Sequence, residues 1–339
     1  MWSFLVSGAV PSGFLALPSI DATLAREVQE GLEQVEEVLR EAVVASDPML
    51  YEAAAHLLAA GGKRFRATLV LLAARFGDPT SSDLVKAAAV IELTHVATLY
   101  HDDVMDEAEL RRGEPSANQR WGNTIAILTG DYVFAQASLM LADLGTDAVR
   151  MQAQTFARLV QGQVLETSGP REGTDPMDHY LQVIADKTAS LIASSAEMGA
   201  MFGKADPKIQ ETIARACEAL GVAFQLSDDI LDVASETSES GKVPGTDLRE
   251  GVLTLPMFHV RRSADPADAR LRDLLGRPLD DAETEEALSL LRAHPAMDAA
   301  RSDLVSWADK ARAELATLPT GSPREAFEAL CDYVVERTG

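Results

Sequence analysis

The sequence is poor in positive charge, cysteine, histidine and aromatic residues. Its 339 residues include 30 Lys or Arg against 53 Asp or Glu, which gives a formal net charge of −23. This balance argues against a nucleic-acid or anionic-membrane surface. The two cysteines, Cys217 and Cys331, lack the spacing of a zinc site, so we expect buried thiols in a reducing compartment. A disulfide between them is the alternative.

The sequence also lacks a long hydrophobic run, a Ser/Gly-rich linker and a repeat of fixed period. No uninterrupted apolar segment reaches the ~18 to 20 residues needed to span a bilayer, so we expect no transmembrane segment and a cytoplasmic protein. Residues 1–20 are apolar but have no positive leading region, and Pro11, Gly13 and Pro18 interrupt them. We therefore expect a loosely ordered N-terminal arm over residues 1–20 and a single domain over residues 21–339.

Helical patterning fills that domain. Ala, Leu, Val and Glu recur at three- and four-residue spacing, whereas strand-like alternation of β-branched and aromatic residues is scarce. The fold class is therefore predicted to be all-α. Two helices, ending near Met105 and Val233, are apolar over most of their circumference, and we expect them to be central.

Each of these two helices ends in a cluster of carboxylates. Asp102 and Asp106 lie one turn apart with Asp103 beside them, and Asp228 and Asp232 repeat the arrangement around Asp229. A solvated helix end is the simplest interpretation of one such turn. No Lys or Arg lies within either turn, however, so divalent cations are the natural counter-charge, and hard carboxylate oxygens suit Mg²⁺ completed by substrate phosphates. Two facing clusters predict Mg²⁺ ions around a diphosphate.

Small groups of basic residues accompany these clusters. The segment Gly61-Gly62-Lys63-Arg64-Phe65-Arg66 begins a helix, so backbone N–H groups and cationic side chains can converge on an anion there. Arg111 and Arg112 follow the first cluster, where forked guanidiniums can bind phosphate oxygens. His95 and Gln225 share helical faces with Asp102 and Asp228. Lys187-Thr188 and Lys242 complete the candidates. Any of these pairs alone is more commonly a surface charge.

Together these segments resemble the trans-polyprenyl diphosphate synthases. The resemblance is close over about residues 25–260 and is carried by motifs in the expected order. They are G-G-K-R-F-R from Gly61, H-V-A-T-L-Y-H-D-D-V-M-D-E-A-E-L-R-R-G from His95, G-D-Y from Gly130, K-T from Lys187, F-Q-L-S-D-D-I-L-D from Phe224 and G-K-V-P-G-T-D-L-R-E-G from Gly241. The family has one large helical bundle of the isoprenoid-synthase type with a central substrate cavity.

The resemblance implies a role for each matching residue. Mg²⁺ would be coordinated by Asp102, Asp106 and Asp228, with Asp103, Asp229 and Asp232 in support. The allylic diphosphate would be bound by Arg111, Lys187, Thr188, Gln225 and Lys242, and Lys187 also counts among the catalytic residues. Isopentenyl diphosphate would be bound by Lys63, Arg66, His95 and Arg112. The family also implies a homodimer.

Two positions depart from the family pattern. Ala67 stands where Pro is common, which should be harmless. Val252 stands where family members commonly have Lys, and the loss of this cation near the allylic diphosphate is expected to weaken binding or slow product release. It bears on the lid segment around residues 240–251, not on the reaction class.

The expected reaction is ionisation of the allylic diphosphate, condensation with isopentenyl diphosphate and loss of a proton, driven by preorganised charge. Small Ala97 and its neighbour Thr98, about a turn before Asp102, stand where short-chain members often carry an aromatic floor. We therefore expect a product longer than twenty carbons, with a quinone side-chain precursor as the leading candidate.

Several alternatives stay open at this stage. A geranylgeranyl or farnesyl diphosphate synthase would differ only in product length. A terpene cyclase would not need the isopentenyl site that Gly61 to Arg66 and the Arg111-Arg112 pair suggest. The His101-Asp102 pair is also typical of helical HD-type phosphohydrolases, although the remaining histidines are not grouped like metal ligands. A non-catalytic partner subunit would be expected to lack one or both Asp clusters.

Overall fold

The structure is a computed structural model that describes residues 20–235 and 244–338. It divides into two compact units. Among the described residues, the first comprises residues 20–156, 194–214 and 318–326, and the second comprises residues 157–193, 215–235, 244–317 and 327–338. Residues 1–19 of the predicted N-terminal arm lie outside the described residues. The prediction of a single domain over residues 21–339 stays a prediction.

The described residues are mostly helical, which confirms the predicted fold class. Up to residue 168 the elements are α1 Ala22–Ala42, α2 Pro48–Ala59, α3 Phe65–Ala73, α4 Leu84–Met105, β1 Leu110–Arg111, β2 Glu114–Pro115, α5 Ala117–Trp121, α6 Asn123–Leu144 and α7 Thr146–Ser168. A short 3₁₀ turn, Ala74–Phe76, follows α3.

The remaining elements follow a proline- and glycine-containing loop. They are α8 Pro176–Ile184, α9 Ser190–Phe202, α10 Pro207–Ala234, α11 Thr246–Glu250, α12 Leu255–Arg262, α13 Ala269–Leu274, α14 Asp281–Arg292, α15 Ala296–Leu315 and α16 Ser322–Glu336. A five-residue π-helix, Ala185–Ala189, joins α8 to α9. A 3₁₀ turn, Pro266–Asp268, precedes α13.

Helix α4 is the enclosed element of the first unit. Every residue from 87 to 94 is buried, so no face of this stretch meets solvent, and α4 packs against α1, α3 and α6. The Tyr100 hydroxyl donates to the carbonyl oxygen of Ala53 at 2.5 Å, which ties α4 to α2. The apolar composition that predicted a central helix is therefore confirmed for α4, which carries the first Asp cluster at its C-terminal end.

Side-chain caps fix where several helices begin. Asp21, Asp47 and Asp280 each accept a hydrogen bond from the backbone N–H three residues later, at 2.8 to 2.9 Å. Asp175 accepts from the N–H of Met177 at 2.8 Å. Such caps satisfy amide groups that the helix leaves unpaired, and each contributes about 1 kcal/mol.

Glycine permits one close helix approach within the first unit. A Cβ atom placed on Gly199 in α9 would lie 2.1 Å from the carbonyl oxygen of Val70 in α3. Since backbone cannot move aside as a flexible side chain can, a larger residue at position 199 would separate these two helices.

Helix α6 bears on the prediction that the chain has no transmembrane segment. By length and composition alone it is apolar enough to cross a membrane, and 33% of the qualifying stretch is buried. The apolar run of α6 is interrupted by Asp131 and Asp143, so the expectation that the chain has no transmembrane segment stays a prediction. The core helix of a soluble protein passes the same test.

Candidate active site

The first Asp-rich turn closes helix α4. Asp106 is the C-cap residue, and its backbone N–H bonds the carbonyl oxygen of Asp102 at 2.8 Å. Asp102 is half-buried and Asp106 is exposed, so solvent reaches both carboxylates. Asp103 points the other way and is fully buried. Two of the three carboxylates can therefore meet a ligand from solvent.

Buried Asp103 positions an arginine instead. The Nε atom of Arg111 donates to Oδ1 of Asp103 at 2.6 Å. Burial raises the pKa of Asp103, while the adjacent Arg111 guanidinium opposes that rise. The two-stranded ribbon of β1 and β2 carries Arg111, with Arg111 opposite Glu114. The supporting role predicted for Asp103 thus has a geometric basis in orienting Arg111.

The glycine-rich turn before α3 packs against Arg112. Gly61 and Gly62 have φ values of 82° and 154°, and a Cβ atom at Gly62 would lie 3.1 Å from the Arg112 guanidinium. Arg112 donates to the carbonyl oxygens of Leu57, at 2.6 Å, and Gly61. Glycine is needed here because a side chain would strain the backbone and crowd Arg112.

Three of the residues predicted to bind isopentenyl diphosphate lie together in the first unit. Burial and the positive charges of Arg66, Arg112, Arg111 and Arg64, in that order, hold the pKa of His95 well below its ordinary value of 6.5. His95 is therefore a neutral imidazole at physiological pH. The Nε atom of Arg66 is buried and has no hydrogen-bond partner among the residues described. Lys63, the fourth predicted residue, is exposed.

A buried glutamate that the sequence analysis missed balances this basic group. Glu92 is 2% exposed, and its Oε1 accepts the backbone N–H of Ala67 at 2.9 Å. Its negative charge acts on Arg66, Arg64 and Arg112. The available signal was a carboxylate within the apolar part of α4 that precedes the Asp-rich turn, three residues before His95.

The second Asp-rich turn lies near the end of α10, in the second unit. The Asp228 side chain is 40% exposed, whereas Asp229 is buried. Asp232 accepts the backbone N–H groups of Thr246 and Asp247, each at 3.2 Å. Asp232 thus holds the start of α11, so its supporting role is structural, and Asp228 offers the accessible carboxylate.

Burial raises the pKa of Asp229 to about 7, against hydrogen bonds that lower it. The Tyr180 hydroxyl donates to Oδ2 of Asp229, and Nε2 of Gln225 donates to Oδ1 at 2.9 Å. The Thr188 hydroxyl in turn donates to Oε1 of Gln225 at 3.2 Å. The structure therefore joins predicted residues Thr188, Gln225 and Asp229 in one chain of hydrogen bonds, and it adds Tyr180, which no sequence signal indicated.

Lys187 and Thr188 lie in the π-helix between α8 and α9. A π-helical turn inserts a residue into a helix and is frequent at functional sites. Lys187 forms an ion pair with Glu166 of α7. A Cβ atom on Gly162, also in α7, would lie 2.6 Å from the Lys187 backbone nitrogen, so glycine lets α7 approach this turn. Glu166, like Glu92 and Tyr180, was not predicted from the sequence.

The other predicted residues are distributed along the chain. Ala97 is buried at 2% exposure, and the Thr98 hydroxyl donates to the carbonyl oxygen of His95 at 2.8 Å. Val252 is 45% exposed. Lys242 lies outside the described residues. Cys217 and Cys331 are buried free thiols, as predicted.

The donor set agrees with magnesium bound largely through its substrate. Among residues 20–235 and 244–338, no group of three or more His, Cys, Asp or Glu side chains is arranged to hold a metal. Asp102, Asp106 and Asp228 nevertheless offer accessible hard oxygens. Mg²⁺ is commonly bound by one or two carboxylates, several waters and phosphate oxygens instead of an all-protein cage, so these residues fit the ion.

Comparison with known proteins assigns the family. The polyprenyl synthetase family model matches residues 47–291. The nonaprenyl diphosphate synthase of Mycobacterium tuberculosis is 49% identical over 321 residues, which cover 94% of this chain and 96% of the relative.

Two solved structures show the same fold. The geranylgeranyl pyrophosphate synthase of Corynebacterium glutamicum, crystallised with calcium and isoprenyl diphosphate, has a TM-score of 0.85 and 44% identity, covering 94% of this chain and 98% of its own. The decaprenyl diphosphate synthase of Rhodobacter capsulatus has a TM-score of 0.84 and 36% identity, covering 94% and 99%.

These similarities define a trans-prenyltransferase with the isoprenoid synthase fold. The chain belongs to the polyprenyl synthetase family and is a polyprenyl diphosphate synthase, as the resemblance of its motifs predicted.

Proposed function

We propose that this enzyme is magnesium-dependent and condenses isopentenyl diphosphate with an allylic diphosphate to make a product longer than twenty carbons. The observation that carries the proposal is the group formed by Arg66, Arg112 and neutral His95. Arg66 and Arg112 each carry a positive charge, and the single negative charge of the neighbouring Glu92 does not neutralise both. The Nε atom of Arg66, which has no partner among the described residues, also needs a hydrogen-bond acceptor. A diphosphate supplies both the negative charge and the acceptors.

Divalent-metal dependence is supported by the accessible carboxylates of Asp102, Asp106 and Asp228, and by a relative crystallised with calcium and isoprenyl diphosphate. When bound, Mg²⁺ neutralises charge that develops on the departing diphosphate. In the first unit, Arg111, oriented by Asp103, offers donors for a diphosphate. In the second unit, Lys187 and Thr188 of the π-helix offer donors of the same kind. Neutral His95 contributes a hydrogen bond at the isopentenyl site without adding positive charge.

No motif residue is a dedicated nucleophile or base in this scheme. The allylic C–O bond breaks with both electrons leaving on the diphosphate, the isopentenyl double bond attacks the resulting carbocation, and a proton then leaves the new chain. We propose that the released diphosphate accepts this proton. The side chains bind, orient and exclude water, which would otherwise quench the cation.

The proposed product length rests on Ala97 and on the relatives. A small residue at this position leaves room for a chain growing along α4, and two of the relatives make nonaprenyl and decaprenyl products by name. Geranylgeranyl diphosphate is the shorter alternative, named for the Corynebacterium relative. A quinone side-chain precursor fits the longer range.

We also propose a homodimer joined through α6. Ile127, Leu128 and Leu139 on this helix are 43, 54 and 64% exposed. A second copy would cover this apolar face without desolvating many charges. Sedimentation of the wild type and of Leu139→Glu tests the proposal. A dimer that dissociates in the variant supports it, and a monomeric wild type contradicts it.

Product chromatography tests the reaction and the chain length together. The purified enzyme, with Mg²⁺ and radiolabelled isopentenyl diphosphate, is given dimethylallyl, geranyl, farnesyl or geranylgeranyl diphosphate in turn. We expect labelled products longer than twenty carbons and none after EDTA treatment. Products from the allylic diphosphate alone would indicate a cyclase, simple phosphate release a hydrolase, and activity surviving EDTA would refute the metal requirement.

A further inference from the structure

The side chain of Arg337, just beyond the end of α16, reaches the second Asp-rich turn. Its Nη2 atom lies 2.9 Å from Oδ1 of Asp228, and the Arg337 side chain is only 14% exposed. Asp228 is the accessible carboxylate of that turn. The carboxylate proposed to bind metal therefore already has a cationic partner from the C-terminal segment of the same unit.

Further contacts hold this guanidinium in place. Nη2 donates to the carbonyl oxygen of Phe224 at 2.8 Å, and Nε donates to the Ser227 hydroxyl at 2.5 Å. The guanidinium carbon lies 4.4 Å from the centroid of the Phe224 ring, a cation–π geometry. Since neighbouring residues of one α10 turn fix the side chain, Arg337 lies against Asp228 as a built feature and not as a loose surface ion pair.

A metal ion at Asp228 would meet this positive charge directly. It must displace Nη2 from Oδ1 or bind beside a like charge, and either event costs affinity. When a metal ion binds together with a diphosphate, the negative charge of the diphosphate offsets this loss of affinity.

We propose that Arg337 is a built-in counter-ion of Asp228 that weakens metal binding at the second Asp-rich turn until a diphosphate arrives. The inference rests on the proposed function, because it requires Asp228 to be a metal ligand. Its consequence is that the enzyme takes up metal at this turn mainly together with substrate, which links metal binding to the C-terminal segment.

A purely structural role for Arg337 predicts the opposite response. If the side chain only anchored the C-terminus to α10, its removal would loosen the second Asp-rich turn and weaken metal binding. If it competes for Asp228, its removal strengthens the binding of metal alone. The direction of the change therefore separates the two roles.

The test is a Mn²⁺ titration of the metal-free enzyme by electron paramagnetic resonance. Arg337→Met keeps an apolar stem on Phe224 without the charge, and Arg337→Gln is a second neutral variant. We expect each to bind Mn²⁺ roughly two- to fivefold more tightly than the wild type in one class of sites, because the Asp228 side chain is 40% exposed and solvent screens part of its attraction to Arg337. Arg337→Lys should stay near the wild type. Unchanged or weaker binding in both neutral variants would overturn the inference.

Inorganic pyrophosphate and two further variants complete the experiment. With saturating pyrophosphate, the neutral Arg337 variants should exceed the wild type in Mn²⁺ affinity by a smaller factor than without it. An equal factor with and without pyrophosphate would contradict the coupling to diphosphate. Arg312→Gln removes ion pairs to Asp309 and Asp332 elsewhere on α15 and α16, and should leave Mn²⁺ affinity unchanged. A change matching that of Arg337→Met would assign the effect to general loosening and overturn the inference.

Asp228→Asn separates this inference from the proposed function. If it loses one Mn²⁺ while the neutral Arg337 variants bind like the wild type, only the role of Arg337 fails. If it keeps the full number of Mn²⁺ ions, the proposed metal role of Asp228 fails as well.

Discussion

The Tyr180 hydroxyl donates a hydrogen bond to Oδ2 of Asp229, the buried carboxylate of the second Asp-rich turn. The ring of Tyr180 also packs on Phe258, with centroids 5.1 Å apart. Tyr180 thus fixes a carboxylate that is adjacent in sequence to Asp228 and linked through Gln225 to Thr188. We infer that Tyr180 orients this turn through its hydrogen bond, because side chains that hydrogen-bond to residues at a metal site commonly orient the metal ligands.

Tyr180→Phe should therefore lower activity while the fold is retained. The change removes one hydrogen bond that lowers the pKa of Asp229, so that pKa should rise above about 7. We expect about a tenfold loss of kcat/KM and a higher Mg²⁺ requirement, with the larger deficit at about pH 6 than at about pH 8.5. Steady-state kinetics at several Mg²⁺ concentrations measure both effects.

Phe258→Leu provides the control for this prediction. It removes the ring contact but leaves the Tyr180 hydroxyl, so its Mg²⁺ requirement should match that of the wild type. If Tyr180→Phe has wild-type kinetics across this pH range, the hydrogen bond has no part in orienting the turn.

Glu92 leads to a prediction about stability. Glu92→Gln keeps an acceptor for the Ala67 N–H but removes the negative charge beside Arg66, Arg64 and Arg112. Because it leaves buried positive charge uncompensated, we expect a loss of roughly 3 kcal/mol in the free energy of unfolding. Urea denaturation measures the loss, and inorganic pyrophosphate should stabilise the variant more than the wild type.

Glu36→Gln is the matched comparison for Glu92. Glu36 pairs with Arg64, but its side chain is 23% exposed. Solvent screening should make its loss smaller than that of Glu92→Gln. Equal losses for the two variants would mean that the charge of Glu92 has no special place in the basic group.

The contrast between predicted and unpredicted residues has a physical basis. The apolar circumference of α4 and the carboxylates at its end are local features, so the sequence located them correctly. The turn at Gly61 and Gly62 also carries a local signal, since positive φ values favour glycine. These local features allowed the helical class to be predicted from the sequence.

Tyr180, Glu166 and Arg337 were not predicted because their roles arise from tertiary contacts. Arg337 lies 113 positions from Phe224 along the chain, and no periodicity relates residues at such separation. Glu92 was missed for a different reason: a lone carboxylate on an apolar helix has the same sequence pattern whether it meets solvent or a buried arginine.

His95 should make stability depend on pH. In the folded state its pKa lies well below 6.5, chiefly through burial, so the unfolded chain binds a proton that the folded protein does not. Stability is therefore fully present above about pH 6.5 and falls as the pH decreases from that value towards the folded pKa. His95→Gln should show a smaller loss of unfolding free energy between about pH 7.5 and 5.5 than the wild type.

Urea denaturation at the two pH values measures this difference. His179→Gln, which removes an imidazole from the second unit, should keep the wild-type dependence on pH. A His95→Gln variant whose stability falls with pH as steeply as that of the wild type would show that another group governs this range.

Ala97 should control product length. It is buried on α4 about a turn before Asp102, so a Phe side chain there would occupy space that a growing chain needs. Ala97→Val, Ala97→Leu and Ala97→Phe should shorten the longest product progressively, and Thr98→Phe tests the neighbouring position.

Overpacking costs roughly 1–3 kcal/mol of stability, so the comparison needs a control for crowding alone. Ala137→Phe in α6, at an equally buried position, should lower stability without shortening the product. Chromatography of the products decides between the two effects, and an unchanged distribution in folded Ala97→Phe would show that the chain does not pass this residue.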